Sequence, residues 1–168
     1  MKKALSMFIC ILVMGGAVTV HAGSTGLSAG LALDFPHYEG LYLEPSFGIH
    51  TGLFSGVNLD LGAGLGIRMV EGIPWFVLPV RAGVDFLFAE GESLVPALGV
   101  GLAPTIAWHE GEGSFSMGPY IKGSLKARIH PLMSWYVMAE QALLIGPPRW
   151  LSTGTRLETG VDFMLSGN

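Results

Sequence analysis

Between residues 53 and 69 the chain alternates at almost every step. The odd positions read Leu53, Ser55, Val57, Leu59, Leu61, Ala63, Leu65, Ile67 and Met69, and the even positions read Phe54, Gly56, Asn58, Asp60, Gly62, Gly64, Gly66 and Arg68. A period of two places the two sets on opposite faces of a strand. The even set is too small and too polar to serve as the packed core of a soluble sandwich. The apolar set must therefore find its solvent elsewhere.

Alternation of this kind recurs eight times, over residues 25–35, 40–50, 53–69, 74–89, 94–109, 114–129, 132–145 and 151–165. Each segment meets the ~9 to 11 residues with which a tilted strand crosses a hydrocarbon layer. Turn formers separate them: Pro36-His37-Tyr38, Thr51-Gly52, Glu71-Gly72-Ile73-Pro74, Glu90-Gly91-Glu92-Ser93, Glu110-Gly111-Glu112-Gly113, His130-Pro131 and Gly146-Pro147-Pro148. Short connections make sequence neighbours into spatial neighbours. The pattern predicts an all-β fold, an eight-stranded antiparallel up-and-down transmembrane β-barrel, as one domain over residues 23–168.

Charges test that assignment. Asp34, Glu44, Asp60, Arg68, Arg81, Asp85, Lys122, Lys126, Arg128, Glu140, Arg156, Glu158 and Asp162 all take the polar parity, six basic against seven acidic. The other charges after the leader, Glu39, Glu71, Glu90, Glu92, Glu110, Glu112 and Arg149, sit in or beside turns. The apolar face takes Gln141 and a few Ser and Thr as its polar exceptions. A charge on a lipid-facing strand costs about 2 to 4 kcal/mol at the bilayer midplane, so lipid enforces this segregation and water does not. A lipocalin-like barrel would turn the apolar face inward and leave glycine rows outside. A sandwich would need charges mixed into its open edges.

The polar face then lines the lumen. Near-balance of charge predicts ion pairs there, such as Arg81 with Asp85 and Arg156 with Glu158 or Asp162, and an eight-stranded barrel is just wide enough for such side chains to fill. Trp75, Trp108, Trp150, Phe35 and Tyr38 border one set of connections, with Trp135 near the opposite rim. Rings at both rims are expected to form interfacial belts.

Lys2 and Lys3, the apolar run from Ala4 to Val20, and Val20-His21-Ala22 before Gly23 have the form of a secretory signal peptide over residues 1–22. Cys10 lies within that run, so the chain from Gly23 carries no cysteine and no disulfide framework. Past the leader no segment offers the ~18 uninterrupted apolar residues of a spanning helix. No basic cluster exists to hold a nucleic-acid backbone, which excludes nucleic acid as a partner.

The last segment reads Glu158-Thr159-Gly160-Val161-Asp162-Phe163-Met164-Leu165. It resembles the C-terminal assembly signal of Gram-negative outer-membrane barrels in Glu158, Gly160, Phe163 and Leu165, although Ser166-Gly167-Asn168 follow where such barrels commonly end on an aromatic residue. With the leader and eight strands, the chain resembles the small eight-stranded outer-membrane class typified by OmpA, OmpX, OmpW and PagP. The resemblance implies outer-membrane localisation after export through the periplasm, outer-membrane lipid and the barrel-assembly machinery as partners, a monomer and no cofactor. That class holds anchors, adhesins, small-solute conduits and lipid-modifying enzymes, so fold alone does not settle activity. The short outer connections weaken the adhesin reading.

Enzymatic chemistry finds little footing. The histidines after the leader are His37, His50, His109 and His130, dispersed and near strand ends, with no ligand spacing for a metal. None stands in the histidine-any-serine arrangement of the lipid A deacylases. His109 with Glu110, close to Ser114 and Ser116 across a hairpin, is the least poor nucleophile-and-base candidate, and an ordinary rim histidine is the better account of it. Prolines support transport instead. If the hairpin folds about Gly111 and Glu112, Pro104 and Pro119 face each other, and two residues without N–H groups would either weaken the wall into a lateral gap or simply occupy non-bonded ladder positions. Pro45 and Pro79 add further breaks. The expected function is a passive conduit for small apolar solutes and not an enzyme. A plugged structural anchor and a lipid-modifying enzyme are the alternatives.

Overall fold

The structure, a computed structural model, describes residues 25–36, 40–89, 92–147 and 150–166. The expected signal peptide and its cleavage site lie outside the described residues, as do His37, Tyr38, Glu39, Glu90, Gly91, Pro148, Arg149, Gly167 and Asn168. Eleven strand segments follow: β1 (Thr25–Phe35), β2 (Tyr42–Phe54), β3 (Val57–Gly64), β4 (Gly66–Val70), β5 (Ile73–Leu87), β6 (Leu94–Leu102), β7 (Thr105–His109), β8 (Glu112–Ser116), β9 (Pro119–His130), β10 (Met133–Leu144) and β11 (Ser152–Ser166). Three wall strands are split in two: β3 and β4 at Leu65, β6 and β7 at Ala103 and Pro104, β8 and β9 at Met117 and Gly118. The wall therefore has eight strands, all antiparallel. Pairing of β1 with β11, from Leu27↔Phe163 to Phe35↔Thr155, closes the sheet on itself.

Alternation sets what faces lipid. Phe47 is 69% exposed, Ile121 56%, Leu102 52% and Leu157 48%, while their strand neighbours Ser46, Lys122, Ala103 and Arg156 are buried inside. Apolar side chains exposed on this scale on every face of the barrel have no place in water. Gln141, the outward polar exception, accepts a 2.7 Å hydrogen bond from Thr155 Oγ1 on the next strand. Its carbonyl group is thereby satisfied against lipid. Trp135, Trp150 and Trp108 lie on the outer surface, Trp108 stacked on Phe76 with centroids 5.5 Å apart, whereas the parity of β5 turns Trp75 inward.

Two turns depart from the sequence reading. Thr51 and Gly52 do not break the chain; β2 runs on to Phe54, and the turn comes at Ser55 and Gly56, where Gly56 has φ 74°. The later hairpin folds about Glu110 and Gly111, with φ 46° and 89°, and pairs His109 with Glu112. Positive φ at both central residues is the type I′ geometry that matches strand twist, and Glu71-Gly72 repeats it with 51° and 85°.

Moving a turn by one residue moves every partner by two. Pro119 therefore faces Leu102, and Pro104 lies beyond it, between Leu102↔Pro119 and Thr105↔Ser116. The prolines do not face each other. Pro104 turns its backbone toward β5, accepting a 2.8 Å bond from Val80 N–H. Met117 exchanges bonds of 3.0 and 3.1 Å with Ile145, so strand alternation turns Pro119, two residues on, toward β10. Ala103 N–H donates to Gly118 O at 2.8 Å between them. A Cβ at Gly118 would stand 1.7 Å from Leu143 O, so the neighbouring backbones touch. Both wall strands are interrupted here, and the Ala103–Gly118, Val80–Pro104 and Met117–Ile145 backbone bonds bridge the interruption.

Candidate functional site

The lumen has a near mouth, where β1 starts and β11 finishes, and a far mouth formed by the Glu71-Gly72 and Glu110-Gly111 turns. Strand parity aims the charged side chains between them. Glu44 is 0% exposed and Arg156 2%, and Asp34, Arg81, Asp85, Lys122, Glu140 and Asp162 are also buried. Asp60, Arg68, Lys126 and Glu158 are half-buried, and Arg128 is exposed at the near mouth.

In the far half the cations are arginines. Arg156 donates to both Glu44 and Glu158, and its Nε reaches Glu158 Oε2 at 2.9 Å. Arg81 Nε sits 2.9 and 2.8 Å from the two oxygens of Glu140, and its Nη1 is 3.8 Å from Glu44 Oε1. Ser46 Oγ and Tyr136 Oη donate to Glu158 Oε1 at 2.8 and 2.5 Å. Tyr136 reaches it because Gly30 and Gly160 leave room: a Cβ at either would stand 2.6 or 2.7 Å from the tyrosine oxygen. That gives Gly160 of the C-terminal motif a structural role, while Phe163 and Leu165 point out to lipid at 45% and 61% exposure.

Lysines take over in the near half. Lys122 Nζ is 2.5 Å from Asp60 and 3.0 Å from Asp85. Lys126 Nζ lies 2.5 Å from Asp162 Oδ2, and His50 Nε2 lies 3.3 Å from Asp162 Oδ1. Of the pairs expected from sequence, Arg156 with Glu158 forms. Arg81 takes Glu140 and Glu44 instead of Asp85, because residues four apart on a strand stand ~13 Å apart while opposite walls are within reach. Asp162 serves Lys126 and His50 instead of Arg156.

Above these clusters, cross-strand register lines up Tyr42, Arg68, Trp75, His109 and Glu112 on the inner wall of the far mouth. The Arg68 guanidinium lies 5.0 Å from the Tyr42 ring and 4.9 Å from that of Trp75, and Trp75 stacks on His109 with centroids 3.9 Å apart. Ser114 pairs with Ala107, one inward position from His109, and such diagonal neighbours are ~7 to 8 Å apart. Across the ladder His109 faces Glu112 and not Ser114 or Ser116. Among the described residues no three His, Cys, Asp or Glu side chains converge as a metal site.

His50, Ser46, Tyr120 and Tyr136 were missed as luminal partners. All four take the luminal parity of their strands, a signal that sorting only the charged residues left unread. Among the described residues, cavities open at the near mouth (about 220 Å³), in the middle (about 60 Å³) and in the far half (about 20 Å³). The glycine rows are mostly covered, although Gly62 lines the middle cavity. Gly64 is covered by Glu44, Gly99 by Asp85 and Lys122, and Gly101 by Tyr120.

Solved structures match this architecture closely. Neisserial surface protein A superposes with a TM-score of 0.68 at 13% identity, covering 84% of this chain and 96% of that one. The N-terminal β-barrel domain of Pseudomonas aeruginosa OprF gives 0.63 at 16%, covering 84% and 98%. A de novo designed transmembrane β-barrel gives 0.56 at 12%, covering 86% and 97%. The chain has the fold of a small transmembrane β-barrel. No family model matches the chain, and no curated protein matches it.

Proposed function

We propose that the protein is an outer-membrane barrel held shut by its own luminal charges, a structural element of that membrane and not an axial pore. One observation carries this: Arg156 and Arg81 with Glu44, Glu140 and Glu158 tie β2, β5, β10 and β11 together across the lumen, with no member more than 8% exposed in its side chain. Outer-membrane lipid is then its solvent, the barrel-assembly machinery its partner in biogenesis, and the monomer its working form. The fold shared with outer-membrane barrels and the C-terminal motif support that location. The stacking of His109 on Trp75, and its pairing with Glu112 and not with either serine, favours a protein that is not an enzyme.

Passage of small apolar solutes is the second reading, favoured by the simultaneous break of both wall strands at Ala103, Pro104, Met117 and Gly118. Liposomes carrying the purified protein separate the two. The closed barrel should release neither a small apolar nor a small hydrophilic probe faster than protein-free liposomes. Release of the apolar probe, slowed by Pro104→Val with Pro119→Val, would establish the conduit in its place. Release of the hydrophilic probe alone would mean an axial channel along Gly62.

A further inference from the structure

Neighbouring cavities of the lumen share lining residues. The near vestibule and the middle chamber share His50, Lys126 and Asp162. The chamber and the far cavity share Arg81 and Arg156. A residue that lines two cavities stands between them, so the chamber lies between a His–Asp–Lys partition and an arginine partition.

Chamber walls carry unmet hydrogen bonds. Asp85 Oδ1 and Asp162 Oδ1 accept none, though each residue is only 7% exposed, and Asp162 Oδ1 meets His50 only as an ion-pair contact. A buried carboxylate oxygen left so is costly unless water reaches it. At ~10–15 Å³ for each water centre, a chamber of about 60 Å³ with these carboxylates in its wall has room for roughly four to six molecules.

The two partitions differ in how they are held. Arg156 and Glu44 are almost wholly buried; Arg156 also binds Glu158, which Ser46 and Tyr136 hold in turn, and Arg81 stands 3.8 Å from Glu44. One carboxylate, Asp162, holds both bases of the near partition, and the Lys126 side chain is already 22% exposed. We propose that the chamber is a hydrated compartment exchanging small polar solutes with the near mouth through the His50–Asp162–Lys126 partition, while the arginine network seals it from the far mouth. The proposal rests on the closed-lumen reading.

A cysteine inside the chamber reports on this. Ser124 lines the chamber and is half-buried, and Cys10→Ser removes the natural thiol. In that background Ser124→Cys should react slowly with a small charged thiol reagent, far below His130→Cys at the exposed near rim. Adding Asp162→Asn should speed the reaction about tenfold to a thousandfold, as an open state of ~0.1–10% becomes the major one. Lys126→Gln, at a partly exposed position, should speed it in the same direction and covers the case in which Asp162→Asn fails to assemble. Acceleration by Arg156→Met but by neither near-partition variant would overturn the assigned polarity. No reaction in any variant means a dry plug, which sinks the chamber and leaves the closed lumen standing. Reaction of Ser124→Cys alone at the rim rate sinks both.

Discussion

In the far half of the lumen two arginines hold three glutamates; in the near half two lysines and a histidine hold three aspartates. Side-chain exposure runs from 0% to 8% in the first set and from 6% to 22% in the second. A guanidinium offers five donors in a rigid fork, so one arginine serves two carboxylates from different strands without moving. An ammonium is a strongly hydrated point charge on a flexible stem, and its bonds exchange with water where water reaches it. Pairing long acids with arginine therefore locks one end of the barrel, and pairing short acids with lysine leaves the other able to yield.

The largest expected effect lies in the arginine set. Arg156→Met strands Glu44 and Glu158 without their main cation and should cost about 3 to 5 kcal/mol, the range for breaking a buried pair from one side. Urea unfolding of the folded barrel in lipid measures it. A loss as small as that of a surface ion pair would erase the distinction between the two ends.

Lumen and lipid faces can be contrasted in the same assay. Leu61→Arg, on the outer face of β3, should cost about 2 to 4 kcal/mol near mid-depth, while Asn58→Arg, whose side chain lines the near vestibule, should cost less. If the luminal change is the worse one, the facing assignment is inverted.

Tyr136→Phe removes one donor to Glu158 while Ser46 and Arg156 remain. About 1.5 kcal/mol is expected for a hydrogen bond to a charged group. Combining it with Arg156→Met should give a loss that differs clearly from the sum of the two, because both act on Glu158. Simple additivity would show that the network does not act as a unit.

Lys126→Gln should matter least, at under about 1 kcal/mol, since its pair with Asp162 sits where solvent screens it. Raising salt should weaken the wild-type lysine pairs more than the arginine pairs. An equal salt response at both ends would mean that water reaches the arginine network too.

Most of the wall was legible in the sequence, and the clearest errors came at its turns. Alternation gives wall strands one and five their observed outer limits, 25–35 and 94–109, and the other six within a few residues of theirs. Thr51-Gly52 has the composition of a turn, but Gly52 is a buried inward position of β2 and the positive φ belongs to Gly56. At Glu110-Gly111 a one-residue error in the turn was enough to set Pro104 and Pro119 face to face. Glutamate at positive φ is uncommon, so reading the turn around Gly111 and Glu112 followed the better local prior and lost to the twist of the hairpin.

What the sequence determined by itself was facing. A strand repeats every two residues, so parity alone assigns Leu61 to lipid and Arg156 to the lumen wherever the barrel closes. Partnership was decided only by tertiary structure. Arg81 is nearest to Asp85 among the acids of its own strand, yet it bonds Glu140, three wall strands away, and approaches Glu44 on the other side. Those distances follow from closure and from the lean of each strand against its neighbours, neither of which is written in any one segment. The same holds for Gly160, whose missing side chain makes sense only beside the Tyr136 ring that passes over it to reach Glu158.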